Sequence, residues 1–298
     1  MHVYYYKVAE QVFAFRTPDG DMQDYIPSCE PFAYTPAKDE SLLFELTLIT
    51  DSSNSPESEV CQSVDVEKIG EFDCGGADFC VSRLANGGYR FLIAPPGGAY
   101  CGLLQTNALF SEGTLLLHGD EWARAFAANN SIMLMYAFAA ADKKTLLFHA
   151  SVIKNDGYGY LFLGKSGTGK STHSSLWLKH IPGSELMNDD NPVVVATEQG
   201  AVVYGSPWSG KTPCYRNICA PVGAFVRIRQ EKINRITRDN TLEALSALLP
   251  SVSSMKWDDR VYNGIYDTIS LLIAHVPCYT LGCRPDQEAA EVCYAKVK

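Results

Sequence analysis

The sequence predicts a mixed α/β protein: a β-rich N-terminal domain over residues 1–140, then an α/β core over residues 141–298. Three observations predict it. At 42–49, Leu42, Phe44, Leu46 and Leu48 alternate with Leu43, Glu45, Thr47 and Ile49, the two-residue period of a strand with one better-buried face. Near residue 121 the period turns helical. At 160–163 an apolar run of strand length opens directly onto a glycine-rich loop, and a helical pattern follows.

Each element has its own signal. In the first part, which reads as antiparallel, residues 79–84 and 89–94 flank Ala85-Asn86-Gly87-Gly88, where Asn-Gly favours a tight hairpin because both turn positions want positive φ. The serine-rich stretch 51–58 predicts a polar, flexible loop. A helix is expected at 121–141, with Trp122, Phe126, Ile132, Met135 and Tyr136 partly at helical spacing. Short strands follow at 145–148, 151–153 and 160–163, then a helix at 171–180. Strands at 193–196, 202–204 and 224–228 precede a helix at 242–249. Val261, Ile265, Ile269, Leu272, Ile273 and Val276 trace one apolar helical face, which Pro277 stops. A strand at 278–281 and a helix at 285–297, with proline at its start, come last. No internal repeat is visible.

The 298 residues carry 34 acidic and 25 basic side chains, a formal net charge of −9, with no basic tract. Nucleic acid and anionic lipid are therefore not expected partners. The most apolar stretch, 132–141, is about half the roughly 20 residues of a membrane span, so no membrane insertion is expected. The first residues lack the basic start and apolar core of a signal peptide, which predicts a cytoplasmic location. Ten cysteines are scattered with no Cys-x-x-Cys pair, which predicts free thiols rather than disulfides or structural zinc.

The loop Gly164-Lys165-Ser166-Gly167-Thr168-Gly169-Lys170-Ser171 carries the pattern G-x-x-x-x-G-K-[ST]. Glycines at 164, 167 and 169 let successive backbone N–H groups turn inward around phosphates. Lys170 adds a positive charge at the β- and γ-phosphates and Ser171 offers its hydroxyl to Mg²⁺. The following helix, with Thr172 in its first turn, contributes its dipole. The expected ligand is a purine nucleoside triphosphate with Mg²⁺. The guanine-reading Asn-Lys-x-Asp signature is missing, which favours ATP.

Phosphoryl chemistry also needs carboxylates. Leu186-Met187-Asn188-Asp189-Asp190 offers two, one to hold metal and one to take a proton, although the apolar run before them is short and suits a surface turn as well. His149, 15 positions before Gly164 and expected on the strand beside the loop strand, is a further candidate. A core histidine is the plainer alternative there, as for His118, His173 and His180. The segment 205–216 is too rich in Gly and Pro for regular structure. Its Lys211 or Arg216 either reaches the charge on a transferring phosphoryl group or faces solvent.

Together, His149, the glycine loop and the acidic pair 19 and 20 residues after Lys170 resemble the catalytic domain of HPr kinase/phosphorylase, within the phosphoenolpyruvate carboxykinase-like superfamily. The resemblance covers about residues 145–298, including His149-Ala150-Ser151-Val152 and the run Val276-Pro277-Cys278-Tyr279-Thr280-Leu281-Gly282-Cys283-Arg284-Pro285-Asp286. It implies an α/β phosphate-loop nucleotide-binding core in which Lys170 and Ser171 bind phosphate and Mg²⁺. Asp189 and Asp190 would serve metal and general base, and His149 would lie near the transferred phosphate. The Glu-x-Arg-Gly signature of true HPr kinases is absent downstream of the pair, and residues 1–140 differ from the family's usual N-terminal domain. The expected acceptor is accordingly a small hydroxylated molecule or a protein serine. An ATP-dependent kinase is the first expectation, a non-catalytic ATP-binding sensor the second, and a carboxykinase-like carboxyl transfer the third. A homo-oligomer is compatible with each.

Overall fold

The computed structural model describes residues 1–18, 25–49, 66–74, 76–210 and 212–298. These form two compact units, Met1–Ala139 and Ala140–Lys298. The chain is mixed α and β, with two sheets and more strand than helix. The stretch 51–58 and Lys211 lie outside the described residues.

The first unit holds β1 (His2–Val8), β2 (Gln11–Thr17), β3 (Phe44–Ile49), β4 (Val66–Cys74), β5 (Ala77–Leu84), β6 (Tyr89–Ala94), β7 (Gly102–Thr106) and β8 (Glu112–Leu117). They form one sheet in the order β1-β2-β3-β8-β7-β6-β5-β4. Phe44, Leu46 and Leu48 are buried along β3, while Glu45 and Thr47 are half-buried. The expected antiparallel pattern fails at β3, which runs parallel to both β2 and β8. A long connection separates β2 from β3, and only hairpin-length links force antiparallel neighbours. In the β5–β6 turn only Gly87 takes a positive φ, 83°. Asn86 instead accepts the Gly88 N–H on its side chain at 3.0 Å. Helix α1 (Glu121–Ala139) is buried along nearly all of its second half, as expected of a helix apolar on every side. Its Tyr136 hydroxyl donates to the Val8 carbonyl at 2.9 Å.

The second unit holds β9 (Thr145–Leu147), β10 (Ala150–Asn155), β11 (Tyr158–Leu163), α2 (Lys170–His180), β12 (Glu185–Asp190), β13 (Val193–Thr197), β14 (Gly200–Tyr204), β15 (Cys219–Gln230), β16 (Arg235–Arg238), α3 (Thr241–Leu248), α4 (Asp259–His275), β17 (Cys278–Cys283) and α5 (Gln287–Val297). Its sheet runs β12-β10-β11-β15-β14-β13-β9, with β17 also beside β15 and β16 beyond it. Strand β15 is far longer than 224–228 because it serves three neighbours: its start pairs β14, its middle runs parallel to β11, and its end runs parallel to β17. Strand β11 carries an unbroken, buried apolar run at 160–163, the pattern of a strand covered on both faces. Trp177 of α2 packs on Tyr160, Phe162 and Tyr294 of α5. Helix α4 buries Val261, Ile265, Ile269 and Leu272. Gly264 is needed there, since a Cβ would lie 2.6 Å from the Ala141 carbonyl oxygen.

Strands β12 and β16 were not expected from composition. Helix α5 starts after Asp286, whose carboxylate accepts the Ala289 N–H at 3.1 Å, so Pro285 precedes the helix rather than opening it. The eight cysteines whose side chains are described are all free. Among the described residues no helix is long and apolar enough to cross a membrane.

Candidate functional site

Strand register decides which residues meet. β10 pairs antiparallel with β11 and β12 at once, so Ala150 stands opposite Leu163 on one side and opposite Asp190 on the other. The residue before β10, the loop after β11 and the last residues of β12 therefore share one end of the sheet. His149, loop 164–169 and the Asp189-Asp190 pair lie there. His149 is just ahead of β10 rather than on a strand, and its backbone N–H donates to the Ser251 carbonyl at 2.6 Å.

Loop 164–169 joins β11 to α2. Gly164, Gly167 and Gly169 have φ of 150°, 80° and 102°, backbone that L side chains rarely adopt. Lys165, Ser166, Ser171 and Thr172 are exposed, which leaves the loop and the first turn of α2 open to an anion. Thr168 closes the loop by donating its hydroxyl to the Lys165 carbonyl at 2.7 Å.

Lys170 is buried and turns inward. Its ammonium donates to the Gly164 carbonyl at 2.9 Å and to His149 Nε2 at 2.8 Å. Burial lowers its pKa, and the charges of Asp190 and Asp189 partly restore it. An ammonium can only donate, so His149 Nε2 accepts and the imidazole proton sits on Nδ1. That nitrogen lies 2.9 Å from Asp190 Oδ1, and Asn191 Nδ2 donates to Asp190 Oδ2 at 3.0 Å. A continuous hydrogen-bonded chain thus runs from Gly164 through Lys170 and His149 to Asp190.

Asp189 has different surroundings. It is 5% exposed, and its Oδ1 has no hydrogen-bond partner among the described residues. It stands opposite Ser151, whose hydroxyl oxygen is 2.6 Å from that of Ser174 on α2. Cross-strand partners share a face, so Asp189 lies on the face that α2 covers, while the next residue, Asp190, turns the other way.

Two residues that sequence reasoning did not single out hold this corner. The buried Asn188 side chain accepts the N–H groups of Asp190 and Asn191 at 3.1 and 3.0 Å. It also donates to Ser206 Oγ and the Trp208 carbonyl, both at 3.2 Å. Gly210 donates its N–H to the Asp189 carbonyl at 2.9 Å, and a Cβ there would lie 2.7 Å from the same oxygen. Residues 206–210 can lie against the acidic pair only because residue 210 has no side chain. The run Asn-Asp-Asp-Asn was the available signal, since asparagine that bonds backbone two and three residues on marks a chain turning after a strand.

Arg216 is not brought to the pair. Its guanidinium donates to the Leu186 carbonyl at 2.7 Å and to Glu185 at 2.9 Å, at the opposite end of β12, about 16 Å of extended chain away. Lys211 is outside the described residues. His173 is buried beneath α2, accepts the Trp177 indole N–H at 3.1 Å, and has its pKa lowered to about 4 by burial. Among the described residues, no three or more His, Cys, Asp or Glu side chains form a metal-holding cluster by themselves. Comparison with protein-family models finds no match, and no curated protein matches the chain.

Proposed function

We propose that this chain is an ATP- and Mg²⁺-dependent phosphotransferase with a core of the HPr kinase/phosphoenolpyruvate carboxykinase type, moving the γ-phosphoryl group to a hydroxyl of a small molecule or protein serine. One observation carries the reading. The hydrogen-bonded chain Gly164–Lys170–His149–Asp190, with the Asp189 oxygen that has no partner among the described residues, supports it, since these groups at one sheet end are of the kinds that would cradle phosphate, supply a cation and a base, and hold a metal.

Phosphate oxygens are stronger acceptors than a carbonyl or an imidazole. Lys170 therefore turns to the β- and γ-phosphates when nucleotide enters, and His149 Nε2 is released. Asp190 keeps the His149 proton on Nδ1, so Nε2 takes the proton of the acceptor hydroxyl as its oxygen bonds to the γ-phosphorus. The bond from that phosphorus to the β–γ bridging oxygen breaks, and its electron pair leaves with ADP. Asp190 then stabilises the imidazolium. Asp189 and Ser171 would be the residues to hold Mg²⁺, an ion that takes one or two carboxylates together with substrate phosphates and keeps several waters. Mg²⁺ held there would neutralise charge on the phosphate oxygens.

Purified chain incubated with γ-labelled ATP, Mg²⁺ and fractionated hydroxylated metabolites or cell extract should label an acceptor, and His149→Ala should abolish the labelling. Intact Mg·ATP binding with no labelled product in any fraction would overturn the transferase reading and favour an ATP sensor.

A further inference from the structure

A groove of about 690 Å³ runs along the outer side of β1, the edge strand of its sheet, within the ~300–1,000 Å³ range of binding sites. Four consecutive residues, Val3 to Tyr6, line one side of it. Alternate side chains of a strand face opposite sides of its sheet, so a groove that meets all four lies against the backbone edge itself. Residues 33–38 form the opposite wall.

That edge is only half occupied. Ala33 bridges Tyr6 in antiparallel register, and the Tyr34 N–H donates to the Tyr5 carbonyl at 2.9 Å. The Tyr5 backbone groups therefore point away from β2, and so do those of Val3 two residues before. Continued in the same register, the chain would set Pro36 opposite Val3, where proline has no N–H to donate. The pairing stops short of it. Among the described residues no backbone hydrogen bond takes up the Tyr5 N–H or the Val3 N–H and carbonyl.

The groove's uncompensated charge is positive. Glu40 lines it, but its carboxylate accepts the Tyr34 hydroxyl at 2.9 Å and the Ala37 N–H at 3.1 Å and lies 3.6 Å from the Lys7 ammonium. Lys38 also lines it, is exposed, and has no ion-pair partner among the described residues.

We propose that this groove receives an extended peptide segment of a partner protein, added to β1 as a further strand, with an acidic side chain against Lys38. Tyr5 and Val3 offer it three main-chain groups at ladder spacing, and Tyr34 and Pro36 offer a surface for an apolar side chain. A second copy's β1 fits worse, because the same loop flanks its edge and brings the same lysine.

Panning a phage-displayed library of random octapeptides against the full chain tests this, with fluorescence anisotropy of the enriched peptides as the readout. Enriched sequences should carry an acidic residue among β-branched or aromatic ones. Only every second N–H of an added strand faces the edge. Backbone N-methylation of a bound peptide at one alternate set of residues should therefore abolish binding, and methylation of the other set should leave it within about threefold. Val3→Pro removes one outward N–H without touching the bonds to β2 and should weaken binding at least about tenfold, while Lys38→Glu should weaken it about fivefold. No enriched peptide, equal sensitivity to both methylation sets, or full affinity in folded Val3→Pro or Lys38→Glu would overturn the proposal. So would a chain that dimerises in sedimentation and becomes monomeric as Val3→Pro, since the edge would then belong to a second copy.

Discussion

Changing the two aspartates to asparagine one at a time should separate two roles that their adjacency in sequence merges. Both Asp190 oxygens are engaged, Oδ1 with His149 at 2.9 Å and Oδ2 with Asn191 at 3.0 Å. Both partners are donors, so an amide in Asp190→Asn must turn its own N–H groups toward one of them and forfeit that bond. His149 also loses the charge that holds its tautomer. Turnover should fall about 10²–10⁴-fold, the usual share of general acid–base catalysis, while Mg·ATP affinity stays within about threefold. Asp189→Asn acts in the opposite sense. Its Oδ1 is buried with no hydrogen bond among the described residues, so neutralising it should stabilise the nucleotide-free fold by about 1 kcal/mol. The metal loses a charged ligand, so Mg·ATP affinity should drop at least about tenfold. Calorimetry reads the affinities, single-turnover label transfer reads the chemistry, and urea midpoints read the stability. Intact Mg·ATP affinity in Asp189→Asn, or lost binding with preserved turnover in Asp190→Asn, would refute these assignments.

Gly210→Ala places a methyl group 2.7 Å from the Asp189 carbonyl oxygen and 3.1 Å from Asp190 Cβ. The backbone must give way, which should cost about 1–3 kcal/mol in urea unfolding and weaken Mg·ATP binding; a variant as stable as the parent would show that Gly210 does not need to pack against β12. Burial keeps His173 neutral down to about pH 4, against 6.5 as its ordinary value. As pH falls, the unfolded chain therefore binds this proton first, and stability fully present above about pH 6.5 declines toward pH 4 by about 3 kcal/mol. Urea unfolding of His173→Gln at pH 7 and pH 4 should show a loss smaller than the parent's by about that amount, and equal losses would mean that the ring titrates normally in the fold.

The glycine loop is legible in sequence because its work is local. Gly164, Gly167 and Gly169 all adopt the positive φ that their identity allows, and the apolar run before them forms β11 directly. The convergence at the site is not legible, because His149 and Asp190 meet through the double pairing of β10, and register between distant segments leaves no local trace. β12 escapes notice because it ends in Asn188, Asp189 and Asp190, polar residues that face the site and a buried turn rather than an apolar core. Strands whose ends carry function break the pattern that identifies strands. Alternation along β12 implies that the two aspartates face opposite ways. Only their partners, Ser151 and Ala150, reveal which one turns toward α2. Arg216 attracts attention as a cation in an irregular loop, but its charge is already taken by Glu185.

The central claim is that loop 164–171 cradles a triphosphate through Lys170. Titrating Mg·ATP into the folded parent chain and into Lys170→Ala in a calorimeter tests it most directly. Lys170 donates to Gly164 at 2.9 Å and His149 at 2.8 Å, and nucleotide phosphates should replace those partners. A charge-assisted hydrogen bond worth about 1.5–3 kcal/mol would then be lost in the variant, so its affinity should fall at least about tenfold. A folded Lys170→Ala chain that binds Mg·ATP as tightly as the parent would contradict the account.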